Sequence, residues 1–281
     1  LQSVRGLDVT GVCDLPTWTA LVEASWRLGD RLLVLSAPNL RGDDVGELQT
    51  ILGRLGFDTG RVDGILGPDT VGAVAEFQRN CGLFADGVCG PDTVRALITL
   101  ARQTGDGPGI AALKELESLA LVDRAIAHHR LVIGQFGGMS SLARQITHGL
   151  RLRGAIVTPT DEPDASAQAA AANRFGATVY LGFEARAESR CTLAYYAVPS
   201  FESVGGRSLA ARIERAFGSL DLDLELETVG MRHAALRETR MPAVLCSLGP
   251  VQRILDAAPD LSVAIIDALA DWAASPLPSS P

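Results

Sequence analysis

The chain has 281 residues, 47% of them hydrophobic, enough for about two domains with cores of their own. Its net charge of −8 excludes a nucleic-acid partner, because phosphate recognition needs a basic stripe to replace released counterions. No run of about 18 apolar residues occurs, so no segment reads as a membrane-spanning helix.

The first readable feature is a repeat. Residues 1–21, LQSVRGLDVTGVCDLPTWTAL, align without gaps on residues 77–97, FQRNCGLFADGVCGPDTVRAL. The chain therefore opens inside one copy of a helical unit, and any signal peptide is expected upstream of Leu1. A helix is expected to begin near Asp44, with Glu47 in capping-box relation and Val45, Leu48, Leu52 and Leu55 on its apolar face. Two near-identical stretches follow, DGILGPDTV at 63–71 and DGVCGPDTV at 86–94. The Asp-Gly pairs 63–64 and 86–87 read as turns, since Gly accepts positive φ and Asp bonds its own backbone. Asp63, Gly64, Asp86 and Gly87 are accordingly expected to be structural. Gly67 and Gly90 suit N-caps, Pro68 and Pro91 the first helical position, and Asp69 and Asp92 the positive helix end. The helices that follow carry Val71, Val74 and Phe77 in one case and Val94, Leu97 and Leu100 in the other. Three such helices make a bundle of roughly 60 residues, near the lower size limit for independent folding.

The five cysteines, Cys13, Cys81, Cys89, Cys191 and Cys246, show no CxxC pair and no ligand spacing. Cys13 and Cys89 occupy one slot of the repeat, which favours a small buried hydrophobe. A Cys81–Cys89 bridge stays open for an oxidising compartment.

QTGDGPG, residues 103–109, reads as a flexible break, and residues 110–129 as a connecting helix. Beyond it strand-like and helix-like segments alternate: LVIGQF, SLARQITHGLRLRG, AIVTPT, AQAAAANRFG, TVYLGF, CTLAYYAV, a helix over 208–217, AVLCSLG, and a last helix to Trp272. Alternation of this kind predicts an α/β domain with a mostly parallel sheet, whose sites lie at the carboxyl ends of its strands. The acidic run DLDLELE, 221–227, alternates at period two and reads as a solvated edge strand. His128, His129, His148 and His233 lack the paired spacing of a metal site and read as surface or capping residues.

The pattern LQxxLxxLGF, DGxxGPxTxxAVxxFQ, GLxxDGxxGPxTxxAL resembles the bacterial peptidoglycan-binding module, well over 38–102 and as a truncated copy over 1–28. RLRGAIVTPTDEP, AAANRFGATVYLGF and LRETRMPAVLCSLG resemble the blocks LxxxGxxVxLTRxxD, ANxxxADxFISIHAN and LRxTxxPAVLVEIGF of the zinc-dependent N-acetylmuramoyl-L-alanine amidases. ASWRLGDRLL, residues 24–33, and the tandem modules resemble the actinobacterial members. The organisation these resemblances imply is multidomain: three-helix bundles at 1–28 and 38–102, a linker and connecting helix at 103–129, an amidase-like α/β domain at 130–274 and a disordered tail at 275–281.

The resemblance also implies a zinc site, and at its positions this chain departs from the family. The first ligand is the His of DPGHGG, where the sequence reads GQFGG and Phe136 takes its place. The second is a Glu before the first helix, where a loop is missing and nothing matches. The third is the His of ISIHAN, which aligns with Glu184, and the catalytic Glu of VEIGF aligns with Ser247. Two readings follow. The first is a non-catalytic binding or scaffold protein with no cofactor and no catalytic or metal residues, recognising peptidoglycan fragments or precursors or a cell-wall enzyme. The alternative is an active amidase with a rearranged zinc site. Wall-binding modules favour the cell envelope and unpaired thiols the cytoplasm.

Overall fold

One hydrogen-bonding device recurs in every copy of the repeat. Gln78 Nε2 donates to Asp86 Oδ1 (3.0 Å), Val88 O (3.0 Å) and Thr93 Oγ1 (3.1 Å), while its Oε1 accepts from Gly87 N (2.9 Å). Gln49 does the same with Asp63 (2.9 Å), Ile65 (3.2 Å), Thr70 (3.1 Å) and Gly64 (2.7 Å). Gln2 repeats it with Thr10, Val12, Thr17 and Gly11. A glutamine on one helix thus holds the turn that starts the next. Asp63, Gly64, Asp86 and Gly87 are engaged internally, as turn residues should be.

The computed structural model describes residues 1–281 apart from Asp8, residues 103–108, Asp221, Asp223 and residues 278–281. All of the break expected at 103–109 except Gly109, two acidic positions of the 221–227 run and most of the expected tail thus lie outside the described residues. The chain divides into two units, Leu1–Lys114 with Pro199–Phe201 and Glu115–Val198 with Glu202–Pro281. The boundary falls within one helix.

The first unit contains α1 (Gln2–Arg5), α2 (Leu15–Ser25), α3 (Asp43–Arg54), α4 (Pro68–Asn80), α5 (Pro91–Ala101) and the start of α6 (Ile110–Leu121). Gly67 and Gly90 are N-caps with Pro at the first turn, as the repeat implies. Leu33, Val45, Leu48, Leu52, Leu66, Val74, Phe77, Cys89 and Leu97 form one core. The start of α3 departs from expectation. Its N-cap is Gly42 with no side-chain bond, and no capping box forms. The carboxylate of Asp44, completely buried, instead pairs with Arg31 through Nε (2.7 Å) and Nη2 (3.1 Å), and Glu47 accepts from Leu28 N (3.3 Å). A buried carboxylate needs a charge partner more than a helix needs a cap.

Gly87 shows why the turn is fixed in sequence. Its φ is +72°, and a Cβ there would stand 2.8 Å from Val71 Cγ1 and 3.2 Å from Val71 O. Gly82, at φ +69°, has nothing within 4 Å of that position. Gly82→Val should therefore cost only backbone strain, about 1–3 kcal/mol. Gly87→Val should add overpacking and lose about 3 kcal/mol or more. Thermal unfolding followed by circular dichroism checks the pair; equal losses would mean that the Val71 contact relaxes freely.

Cysteine burial splits between the copies. Cys89 is buried beneath Leu33, with which it exchanges two backbone hydrogen bonds (2.9 and 3.2 Å), whereas Cys13 in the same slot is exposed. The expectation of a buried hydrophobe holds for Cys89 and fails for Cys13, with which no segment among the described residues pairs as Leu33 does with Cys89. All five thiols are free. Burial pushes the Cys89 and Cys191 thiols up to about 12, and Cys246 well above its usual range. Iodoacetamide at pH 8 should therefore add two groups to the native protein, at the exposed Cys13 and Cys81, and five after denaturation. Peptide mass spectrometry that finds Cys246 labelled in the native state would contradict this core.

The second unit is built on β1 (Arg130–Gln135), α7 (Ser140–Leu152), β2 (Ile156–Thr160), α8 (Ala165–Phe175), β3 (Val179–Ala185), β4 (Arg190–Val198), β5 (Phe201–Glu202), α9 (Val204–Gly218), β6 (Glu225–Met231), α10 (Ala234–Glu238), β7 (Ala243–Leu248), α11 (Val251–Asp256) and α12 (Ala258–Ala274). The strand order is β2-β1-β3-β7-β4-β5, with β6 beside β4. The sheet is mixed but mostly parallel, since only β4 against β7 runs antiparallel among the long pairs. Period-two alternation sends Leu131, Ile133, Leu181, Phe183, Val244, Cys246 and Leu248 into a core with α7, α9 and α12. The intervening residues, among them Tyr180 and Ser247, face the other way, and there the Tyr180 hydroxyl donates to Gln168 of α8 (2.7 Å). Pro159 in β2 and the exposed Glu225 and Glu227 of β6 blunt the two sheet edges against further pairing. Helix α9 starts at Val204, four residues earlier than expected, because Ser203 caps it and Glu115 accepts from Ser203 Oγ (2.6 Å) and Val204 N (3.2 Å).

Candidate functional site

The carboxyl ends of β1, β3 and β7 lie side by side, and the three positions singled out in the sequence fall there. Glu184 and Ser247 are direct partners across β3 and β7, one ladder step beyond the pair Phe183 and Cys246. Phe136 immediately follows β1 and donates its N–H to Phe183 O (2.9 Å). Parallel pairing of β1 with β3 and of β3 with β7 is what brings these distant stretches together.

The side chains satisfy one another. Glu184 Oε1 accepts a short hydrogen bond from Ser247 Oγ and a charge-assisted one from Arg186 Nη2 (2.6 Å). Ser247 is buried, and the Glu184 side chain is 17% exposed. The Phe136 ring meets the imidazole of His233 edge to face, with centroids 6.0 Å apart. His233 also caps α10, its Nδ1 accepting from Ala235 N (3.2 Å), so the capping role expected for a histidine is found there. His129, by contrast, is 1% exposed, with Nε2 donating to Asp123 O (2.8 Å) and its ring against Trp272. It is a core histidine and not a surface one. Its burial depends on α12, far away in sequence.

Only Phe136, Gly137, Gly138 and Met139 separate β1 from α7, so the missing loop is a physical shortcut. Gly137 N donates to Gln135 Oε1 (2.8 Å), and Gly138 abuts Ala185. On the far side, a Cβ at Gly249 would lie 2.4 Å from Arg186 O and 2.5 Å from Glu188 O. Only glycine lets the 186–189 turn close over the end of β7. Sequence reasoning missed Arg186, Gln135 and the His233 contact. Arg186 carried one signal, since it stands two residues after Glu184 and so shares its strand face.

The arrangement does not suit a zinc ion. Zinc takes nitrogen, sulfur or carboxylate donors in a tetrahedron with one open position for catalysis. Phe136 offers no donor atom, and Glu184 Oε1 is taken by a hydroxyl and a guanidinium. Among the described residues, no three His, Cys, Asp or Glu side chains come together in a way that could hold a metal ion.

A helical repeat unit followed by a mostly parallel α/β sheet, with its candidate site at the strand ends, defines the class: a peptidoglycan-binding-type module with an amidase-type domain. Residues 41–97 match the family described as "Putative peptidoglycan binding domain". The N-acetylmuramoyl-L-alanine amidase CwlM of Mycobacterium tuberculosis is 34% identical over a 305-residue alignment that covers 96% of this chain and 74% of that one. The chain belongs to that amidase family. Among solved structures it is similar to the amidase AmiC2 of Nostoc punctiforme (TM-score 0.43, 15% identity, 50% of this chain and 96% of that one). It is similar also to the amidase Ami1 of Mycobacterium smegmatis (TM-score 0.43, 14% identity, 52% and 97%).

Proposed function

We propose that this chain is a non-catalytic binding or scaffold protein of the bacterial cell wall, built on an amidase fold. Its module takes peptidoglycan fragments or precursors, and its α/β domain holds the wall material or a cell-wall enzyme without cutting an amide. The observation that carries the reading is the bond between Glu184 and Ser247, with Phe136 beside His233. Amide hydrolysis by this fold needs a metal to activate water and a carboxylate to move protons. Here one ligand position is an aromatic ring, the general-base position is a hydroxyl, and one oxygen of the remaining carboxylate is held by Ser247 and Arg186. The mycobacterial relative supports an actinobacterial source.

The purified chain should contain well under one zinc per molecule and release no stem peptide from peptidoglycan, while soluble muropeptides shift NMR signals of the module at micromolar to millimolar concentration, as a shallow site implies. One tightly held zinc with chelator-sensitive hydrolysis would establish the rearranged amidase instead. Absence of shifts at millimolar muropeptide would leave a protein as the partner.

A further inference from the structure

We draw no further inference here: the strongest candidate, the apolar face of the first repeat copy formed by Leu1, Trp18 and Leu21, which are 49, 59 and 41% exposed where their counterparts Phe77, Val94 and Leu97 are buried, carries nothing because nothing in the structure shows what covers it.

Discussion

Arg31→Ala should unfold the peptidoglycan-binding bundle or leave it close to unfolding. Asp44 is completely buried at the start of α3, and Arg31 supplies its counter-charge through two hydrogen bonds while also donating to Arg41 O (2.8 Å). Removing one partner of a buried pair leaves an uncompensated charge and costs about 3–5 kcal/mol. A bundle of this size holds on the order of 4–12 kcal/mol in all. The same pair sets where the module can be cut. A fragment beginning at residue 38 lacks Arg31, and it lacks Leu33, which is 1% exposed in the core. A fragment covering 26–102 should fold cooperatively, and one covering 38–102 should not. Urea titration of both measures this. Equal midpoints would mean that residues 26–37 lie on the bundle without supporting it. Asp44→Asn in the Arg31→Ala background should restore part of the loss, because a neutral amide in that place is cheaper to bury than a carboxylate.

That tie was not legible in the sequence, and the reason is physical. Turns, caps and helix faces are local, so the repeat announced Gly67, Pro68, Gly90 and Pro91 in their observed roles. Asp44 looked like part of a local cap because nothing within four residues of it says that it is buried. Arg31 lies 13 residues upstream and reaches it only after the chain has wrapped round. The α/β unit divides in the same way. Its alternating elements could be read in order, and the resemblance to the amidase blocks singled out Glu184 and Ser247. That they bond to each other depends on β3 lying beside β7, a pairing between stretches some 60 residues apart. The His233 contact with Phe136 likewise comes from the start of α10, far from β1 in sequence.

The self-satisfied site and the structural turns obey one rule: a polar group taken out of water keeps a partner. In the sheet the rule ties one oxygen of Glu184 to the Ser247 hydroxyl and the Arg186 guanidinium. In the module it engages the letters that the copies share, Gln, Asp-Gly and Thr, in building the turn.

Gln49→Leu should destabilise the module by about 3–6 kcal/mol, since it orphans several buried groups at about 1–3 kcal/mol each. The amide of Gln49 is 1% exposed at the residue level and serves Asp63, Ile65 and Thr70 as donor and the N–H groups of Asp63 (3.0 Å) and Gly64 (2.7 Å) as acceptor. Leucine fills the space but meets none of these needs. Gln2→Leu removes the same set of bonds from the first copy, yet those to Thr10, Val12 and Gly11 are exposed, so water replaces them and the loss should stay below about 1 kcal/mol. Gln49→Glu separates shape from donor chemistry. The carboxylate would face Asp63 Oδ1 and Ile65 O, acceptors where the amide donated, so its folded pKa should be raised. A raised folded pKa means that the native state binds the extra proton. Relative to wild type, this variant should therefore be least stable at neutral pH and regain stability as pH falls towards that pKa. Unfolding free energies of wild type and the three variants, measured by denaturant titration at pH 7 and pH 5, decide the point. A Gln49→Leu loss no larger than that of Gln2→Leu would show that burial does not set the strength of the repeated turn.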